Sequence, residues 1–315
     1  MTVAVTGGTG FIGSRLVNSL VNAGDSVVVI TRGQTDPPTS MMSTDLLTFH
    51  EPDIESVEQL SSIFEECDAV AHLAGINHER GRQTYERVHC RATHAVVRAA
   101  EMADVNRMVL TSYLRARPNC GSSYLESKWI AEELTREAAL DTCILKPAGV
   151  FGRGDQFLTG LTRWLRTIPI VSTVGIRERP LRPVAVSDVV AVIEEGLFSD
   201  RLAGQTIPLL GPTQTTVSDL VQQIGRLINR SPVVLPAPIV TQRIAALIFE
   251  RLLDPPLVTR SGVRMLAEGM VDPAPAAVID SVPPDLEPEQ PLDDEAITRA
   301  IRDTSRYGLD DIRAL

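Results

Sequence analysis

A doubly wound parallel sheet of the α/β class is predicted by three observations. Strand-like apolar runs alternate with helical patterns over the first 150 residues, a glycine-bearing turn joins the first run to the first helix, and no internal repeat is present. Alternation of this kind requires right-handed crossovers, which cover both faces of the sheet with helices. At 315 residues the chain can bury a sizeable core. The expected division is residues 1–150 as one region and residues 151–315 as a smaller mixed region that returns a strand or helix to the sheet near 184–210.

The first element is the run from Val3 to Thr6, followed by Gly7-Gly8-Thr9-Gly10-Phe11-Ile12-Gly13 and by Ser14 to Leu20, which alternates at helical spacing. A strand that turns through glycines into a helix can aim backbone N–H groups and a positive helix end at a pyrophosphate. Gly7 permits the tight turn, Gly10 removes the side chain that would block the diphosphate, and Gly13 lets the helix pack close to the strand. A dinucleotide is therefore expected here.

The second strand, Ser26 to Thr31, bears on which dinucleotide is held. An NAD site places a carboxylate at the end of this strand to meet the ribose hydroxyls; this chain has Thr31-Arg32. A guanidinium pairs with a 2′-phosphate that a carboxylate would repel, so NADP(H) is preferred over NAD(H). Asp53-Ile54 lies ahead of the third run, Ala69 to Leu73, after which Ala74 and Gly75 would let the backbone approach the cofactor. Asp53 is a candidate acceptor for the adenine amino group or a turn-forming residue.

The fourth run, Arg107 to Thr111, is followed by Ser112 and then by Tyr124-Leu125-Glu126-Ser127-Lys128. Tyr124 and Lys128 are four apart, so a helix puts them on one face. A nearby ammonium stabilises a phenolate and lowers a phenol pKa from about 10, which suits a tyrosine to general acid or base work. The fifth run is Thr142 to Lys146. Beyond residue 150 the periodicity weakens and prolines gather, among them Pro232, Pro236, Pro238, Pro255 and Pro256. Ile244, Leu247, Ile248, Arg251 and Leu252 define a helix with one apolar stripe, expected to pack into the core or to wall a substrate pocket, the alternative being a membrane-surface or partner-facing helix. Asp272 to Asp294, rich in proline and acids, reads as an extended surface segment.

A net charge of −10 argues against nucleic acid and anionic membrane as partners. No run reaches the roughly 20 apolar residues of a membrane span and the start lacks a signal-peptide pattern, so the expectation is a cytoplasmic protein. Cys67, Cys90, Cys120 and Cys143 are scattered and read as free thiols. His89 and His94, five apart, do not form a metal pair, and no metal site is expected.

The order TGGTGFIG, DI, AHLAG, a strand ending in TS, YLESK, LKPAGVFGRGD and RPVAVSDV resembles the short-chain dehydrogenase/reductase superfamily in its extended or atypical, nucleotide-sugar epimerase-like branch, over roughly residues 1–195. The resemblance implies a Rossmann-type domain in which Gly7, Gly10 and Gly13 hold the pyrophosphate, Asp53 and Ile54 meet the adenine, Tyr124 is the catalytic acid/base and Lys128 binds the ribose. It extends the cofactor cradle to Thr9, Phe11, Ile12, Arg32, Leu73, Ala74, Gly75 and Pro147. This chain departs from the pattern at four places. Tyr113 stands where a Ser or Thr orients the reacting oxygen, leaving Ser112 as the third catalytic candidate if the backbone turns it toward Tyr124. His89 stands where the epimerases carry an asparagine, Lys146 replaces an arginine before proline, and the turn after the fourth strand lacks the acid pair of the dehydratases. The stretch from Asp254 to Leu266 is similar to the tail of atypical members of the type found as the NADPH-binding accessory subunit of respiratory complex I.

Two function classes follow. One is an NAD(P)-dependent oxidoreductase or epimerase acting on a hydroxyl or carbonyl carbon of a small molecule such as a nucleotide-sugar, with Arg153, Arg179 and Arg182 as candidate substrate contacts. The other is a non-catalytic scaffold or sensor that holds NADPH. A homodimer is compatible with either.

Overall fold

A computed structural model describes residues 1–32, 44–252, 256, 258–275 and 279–306. In chain order the elements are β1 (Thr2–Thr6), α1 (Phe11–Ala23), β2 (Ser26–Ile30), β3 (Leu47–His50), α2 (Val57–Phe64), β4 (Ala69–His72), α3 (Ala92–Met102), β5 (Arg107–Thr111), α4 (Ser123–Arg136) and β6 (Asp141–Pro147). They continue as β7 (Val150–Phe151), α5 (Gln156–Thr167), β8 (Ile170–Val174), β9 (Val184–Ala185), α6 (Val186–Phe198), β10 (Thr206–Leu209), α7 (Val217–Leu227), β11 (Val233–Ala237), α8 (Ile239–Leu252), α9 (Arg260–Glu268) and α10 (Asp294–Ile301). A π-helical turn, Glu86–Arg91, leads into α3. The chain divides into two compact units.

The first unit comprises residues 1–147, 186–209 and 274–287. Its sheet has seven strands in the order β10-β6-β5-β4-β1-β2-β3, every pair parallel. The inner strands read as continuous apolar runs because helices cover both faces: α1 packs with α6, while α2, α3 and α4 pack in sequence. Ala4, Val70 and Met108 from the sheet form one core cluster with Leu60, Phe64, Val96 and Ala100 from α2 and α3. The edge strand β3 is short and mostly exposed, so it lacks the apolar run that marks its neighbours. The segment 272–294 is not merely a surface stretch. The Asp280 amide donates to the Thr206 carbonyl at 2.8 Å and its carboxylate accepts from the Thr206 amide at 2.7 Å, which ties this part of the chain to β10.

The register of the sheet brings its C-terminal edge together. Thr6 pairs with Ile30 on one side and with His72 on the other, and Thr111 pairs with Leu145. In parallel α/β sheets this edge is where ligands bind.

The second unit comprises residues 148–185, 210–273 and the described part of 288–315. Two small parallel pairs, β8 with β11 and β7 with β9, are accompanied by α5, α7 and α10, which pack on one another. Helix α8 does not pack its stripe into the core, the first of the two arrangements its spacing allows. Its stripe of Ile244, Leu247, Ile248 and Leu252 is exposed, and the side it buries presents Gln242 and Ala246. The reason is local: Gln242 donates to the Ser172 hydroxyl at 2.6 Å and the Thr173 carbonyl at 3.2 Å, while Ala246 clusters with Val174 and Val263. No helix among the described residues is long and apolar enough to cross a membrane.

Candidate active site

The glycine turn is built as the residues dictate. Gly7 adopts φ +70, and a Cβ there would lie 2.8 Å from the Ala74 amide nitrogen. A Cβ on Gly13 would lie 2.2 Å from the Gly7 carbonyl oxygen, so α1 can approach β1 only through glycine. The Gly10 amide donates to the Gly7 carbonyl at 2.9 Å. Helices α2, α4 and α7 begin with a Ser or Thr side-chain cap, but α1 starts at Gly10 with none. With Thr9, Phe11 and Ile12 at its mouth, this close-approach turn and uncapped helix end fit a dinucleotide diphosphate.

A buried polar chain runs along the sheet edge beside it. Thr6 Oγ1 and His72 Nδ1 are 2.6 Å apart, His72 Nε2 and Thr93 Oγ1 are 2.9 Å apart, and the Thr93 hydroxyl donates to the His89 carbonyl at 2.6 Å. Because Thr93 commits its proton to that carbonyl, His72 must donate from Nε2 and accept from Thr6 at Nδ1. His89 has the opposite tautomer. Its Nε2 accepts from the Ile76 amide at 3.1 Å, so Nδ1–H donates to Ser127 at 2.9 Å, and Ser127 donates to the Tyr124 carbonyl at 2.9 Å. Burial, with the Lys128 charge second, lowers His72 to about 3 and holds His89 well below the usual histidine range. Both rings are neutral. The same chain seats the loop after β4: the Leu73 amide donates to the Thr6 carbonyl at 3.1 Å and the Ala74 amide to the Thr6 hydroxyl at 3.4 Å.

Helix α4 delivers Tyr124 and Lys128, both buried, to this edge. Its start is fixed by Ser122, which accepts from the Leu125 amide, and by Glu126, which accepts from the Cys120 and Gly121 amides at 2.8 Å each. Lys128 Nζ donates to the Thr111 carbonyl at 3.1 Å and lies 3.2 Å from where a Gly75 Cβ would be, so Gly75 is small because the ammonium needs the room. The Tyr124 ring sits edge-on to Tyr85, His89 and Tyr113, with centroids 5.6, 5.7 and 5.8 Å away. Burial lowers Lys128 to about 8, with the Glu132 charge opposing. One expectation is corrected here. The Tyr124 phenol is raised rather than lowered, because burial dominates and Tyr85 adds to it.

Ser112 is turned elsewhere. Its hydroxyl donates to Glu132 at 2.5 Å, and the same carboxylate oxygen is ion-paired with Lys146. Lys146 also donates to the Ala116 carbonyl at 3.4 Å. Ser112 thus commits its proton to the pair and does not have it to donate to a reacting oxygen; the ring beside Tyr124 is that of Tyr113. Glu132, one turn beyond Lys128, was legible as an (i, i+4) neighbour on the same face, and Thr6 and His72 as polar residues closing apolar strands.

The remaining candidates are more dispersed. Arg32 stands exposed just after β2, and the residues that follow it, 33–43, lie outside the described ones. Asp53 Oδ1 accepts from the Glu55 amide and from Arg87, each at 3.2 Å, while Ile54 is half-buried. The Pro147 carbonyl, at the end of β6, accepts from the Leu114 amide at 2.9 Å. In the second unit Arg153 is ion-paired with Asp303 at 2.7 Å on the surface, Arg182 donates from Nε to the Gly211 carbonyl at 2.9 Å, and Arg179 is exposed with its stem against Gly269. Two of these three candidate substrate contacts, Arg153 and Arg182, are engaged within their own unit. Asp254, Pro255 and Leu257 lie outside the described residues.

A parallel sheet whose first strand opens through glycines into an uncapped helix, with tyrosine and lysine four apart on α4, defines a Rossmann-type protein of the short-chain dehydrogenase/reductase kind. Residues 3–169, more than half of the chain, match the model of the NAD dependent epimerase/dehydratase family, and the chain belongs to that family. It is similar to the mouse protein NADH dehydrogenase (ubiquinone) 1 alpha subcomplex subunit 9, mitochondrial, at 29% identity over 76% of this chain and 64% of that one. It is also similar to ceramide reductase of Caulobacter vibrioides, at 28% identity over 56% of this chain and 55% of that one. The chain therefore spans less than two thirds of the length of these relatives. Among solved structures, MoeE5 in complex with UDP-glucose and NAD shares the fold with a TM-score of 0.72 at 21% identity, covering 96% of this chain and 98% of that one.

Proposed function

We propose that this chain is an NAD(P)-dependent oxidoreductase or epimerase acting at a hydroxyl or carbonyl carbon of a small molecule, with NADP(H) preferred and a nucleotide-sugar among the substrate classes to try. The observation that carries the reading is the buried Tyr124 phenol, ringed by aromatic groups and sharing its helix face with the Lys128 ammonium, in the same unit as the glycine turn. The bound nucleotide would supply the hydride acceptor or donor. Gly7, Gly10 and Gly13 would hold its diphosphate, and Lys128, anchored on the Thr111 carbonyl, would meet a ribose hydroxyl. Arg32, with no carboxylate at the end of β2, supports the preference for a 2′-phosphate. Because burial keeps the Tyr124 phenol protonated well above neutrality, it stands ready as the acid that delivers a proton to a carbonyl oxygen. The neighbouring rings exclude water from that proton.

A second reading, a nucleotide-holding scaffold without turnover, is favoured by one observation: the Ser112 hydroxyl is committed to Glu132. The two separate on a single variant. Purified protein is titrated with NADPH and NADH and then incubated with UDP-sugars and small carbonyl compounds while nucleotide redox state is followed. The oxidoreductase reading expects tighter binding of NADPH, turnover on some member of the panel, and a loss of about 10²–10⁴-fold in kcat for Tyr124→Phe with nucleotide affinity kept. An inert nucleotide across the panel, with Tyr124→Phe changing stability alone, establishes the scaffold.

A further inference from the structure

We infer that α8 is an in-plane docking helix for an anionic lipid bilayer. Its patterning is inverted relative to an ordinary surface helix. The side it buries is anchored by Gln242 on Ser172 and Thr173, by Ala246 against Val174 and Val263, and by Phe249, whose ring meets Trp164 edge-on at 5.8 Å. The side it exposes carries Val240 at 66%, Ile244 at 56%, Ile248 at 48% and Leu247 and Leu252 at 36% each. At 100° per residue these five fall on one continuous stripe, which a helix with a satisfied inner face has no folding reason to keep apolar.

The charge on this helix selects the occupant. Arg243 and Arg251 are exposed, Arg243 at the edge of the stripe and Arg251 at its C-terminal end, where a long side chain can reach headgroups while its stem stays in the apolar layer. The acid of α8, Glu250, is turned away: its carboxylate accepts from the Arg260 amide at 2.8 Å and from Arg260 Nε at 2.9 Å. On α8 itself the exposed charges, Arg243 and Arg251, are therefore both cationic although the whole chain carries −10. Acids farther off than a Debye length of about 8 Å are screened at physiological salt. An apolar stripe flanked by arginines is what an anionic bilayer surface binds, whereas a protein partner gives no reason for removing the acid. The inference is independent of turnover, and its test does not use it.

The full chain is sedimented with vesicles of phosphatidylcholine alone and of phosphatidylcholine mixed with phosphatidylglycerol. The expected result is binding to the mixed vesicles that falls with added salt, and little binding to phosphatidylcholine alone. The double variant I244D/I248D should bind at least about tenfold more weakly, and each of Arg243→Gln and Arg251→Gln about fivefold. Since all four side chains are exposed, melting temperature and NADPH affinity should be unchanged, which separates lost docking from lost folding. Wild-type protein that stays in the supernatant with both vesicles overturns the inference. So does equal binding by I244D/I248D, or a concentration-dependent dimer without lipid that the double variant abolishes.

Discussion

Helices α4 and α8 are each 14 residues long, yet they bury opposite chemistry. Helix α4 takes a phenol, a hydroxyl, an ammonium and a carboxylate inside, through Tyr124, Ser127, Lys128 and Glu132, and gives most of their polar groups a partner. Helix α8 is the more apolar sequence, and it leaves its apolar stripe outside. Amphipathic spacing therefore tells which residues share a face, and the partners available on neighbouring strands decide which face goes in. At α4 those partners are Thr111, His89 and Lys146; at α8 they are Ser172 and Thr173.

The sharpest way to break the α4 side is to unpair Glu132. Burial raises the Glu132 pKa and lowers that of Lys146 even though each attracts the other, so desolvation exceeds the attraction and the pair contributes little net stability. Removing one partner is another matter. Glu132→Leu should cost about 3–5 kcal/mol in urea denaturation, and adding Lys146→Met should recover most of it. A single variant as stable as wild type would show that Lys146 finds water or another acceptor.

Next in size is Gly13→Ala. The added methyl meets backbone at 2.2 Å from the Gly7 oxygen and 2.7 Å from the Gly8 Cα, so the strand and helix must part at a cost of about 1–3 kcal/mol. NADPH titration should show weakened binding alongside the lost stability, whereas Gly24→Ala, whose Cβ meets nothing but whose φ of +91 is strained, should cost stability without touching affinity.

The buried histidines give a pH signature. His72 is held at about 3 when folded and titrates near 6.5 when unfolded, so between those values the unfolded chain binds the extra proton. Its contribution is complete above pH ~6.5 and is lost as pH falls, at up to about 1.4 kcal/mol per pH unit, with His89 acting in the same direction. Thermal melts of His72→Gln should be flatter across this window than those of wild type; parallel curves would mean that His72 is not the group that sets the slope.

The smallest effect belongs to α8. Ile244→Asp, on the exposed stripe, should change unfolding free energy by no more than about 0.5 kcal/mol in lipid-free buffer. A larger loss would place that stripe inside the fold after all.

Much of this was open to reading from residue order alone. The run Val3 to Thr6, the spacing of Gly7, Gly10 and Gly13, and the alternation of strands with helices dictate the sheet and its glycine turn, because glycine is the residue that tolerates φ +70 and the backbone approaches found there. The interval from Tyr124 to Lys128 dictates a shared helix face. What residue order leaves undecided is who partners whom across the fold. Ser112 could have faced Tyr124 or the opposite way, and Lys146 settles it by drawing Glu132, and with it the Ser112 hydroxyl, into a buried ion pair 20 residues along the chain from Ser112. The neutrality of His72 and His89, the raised phenol of Tyr124 and the outward face of α8 have the same origin. Each depends on desolvation and on hydrogen-bond partners that are distant in sequence, and only the packed tertiary structure brings those together.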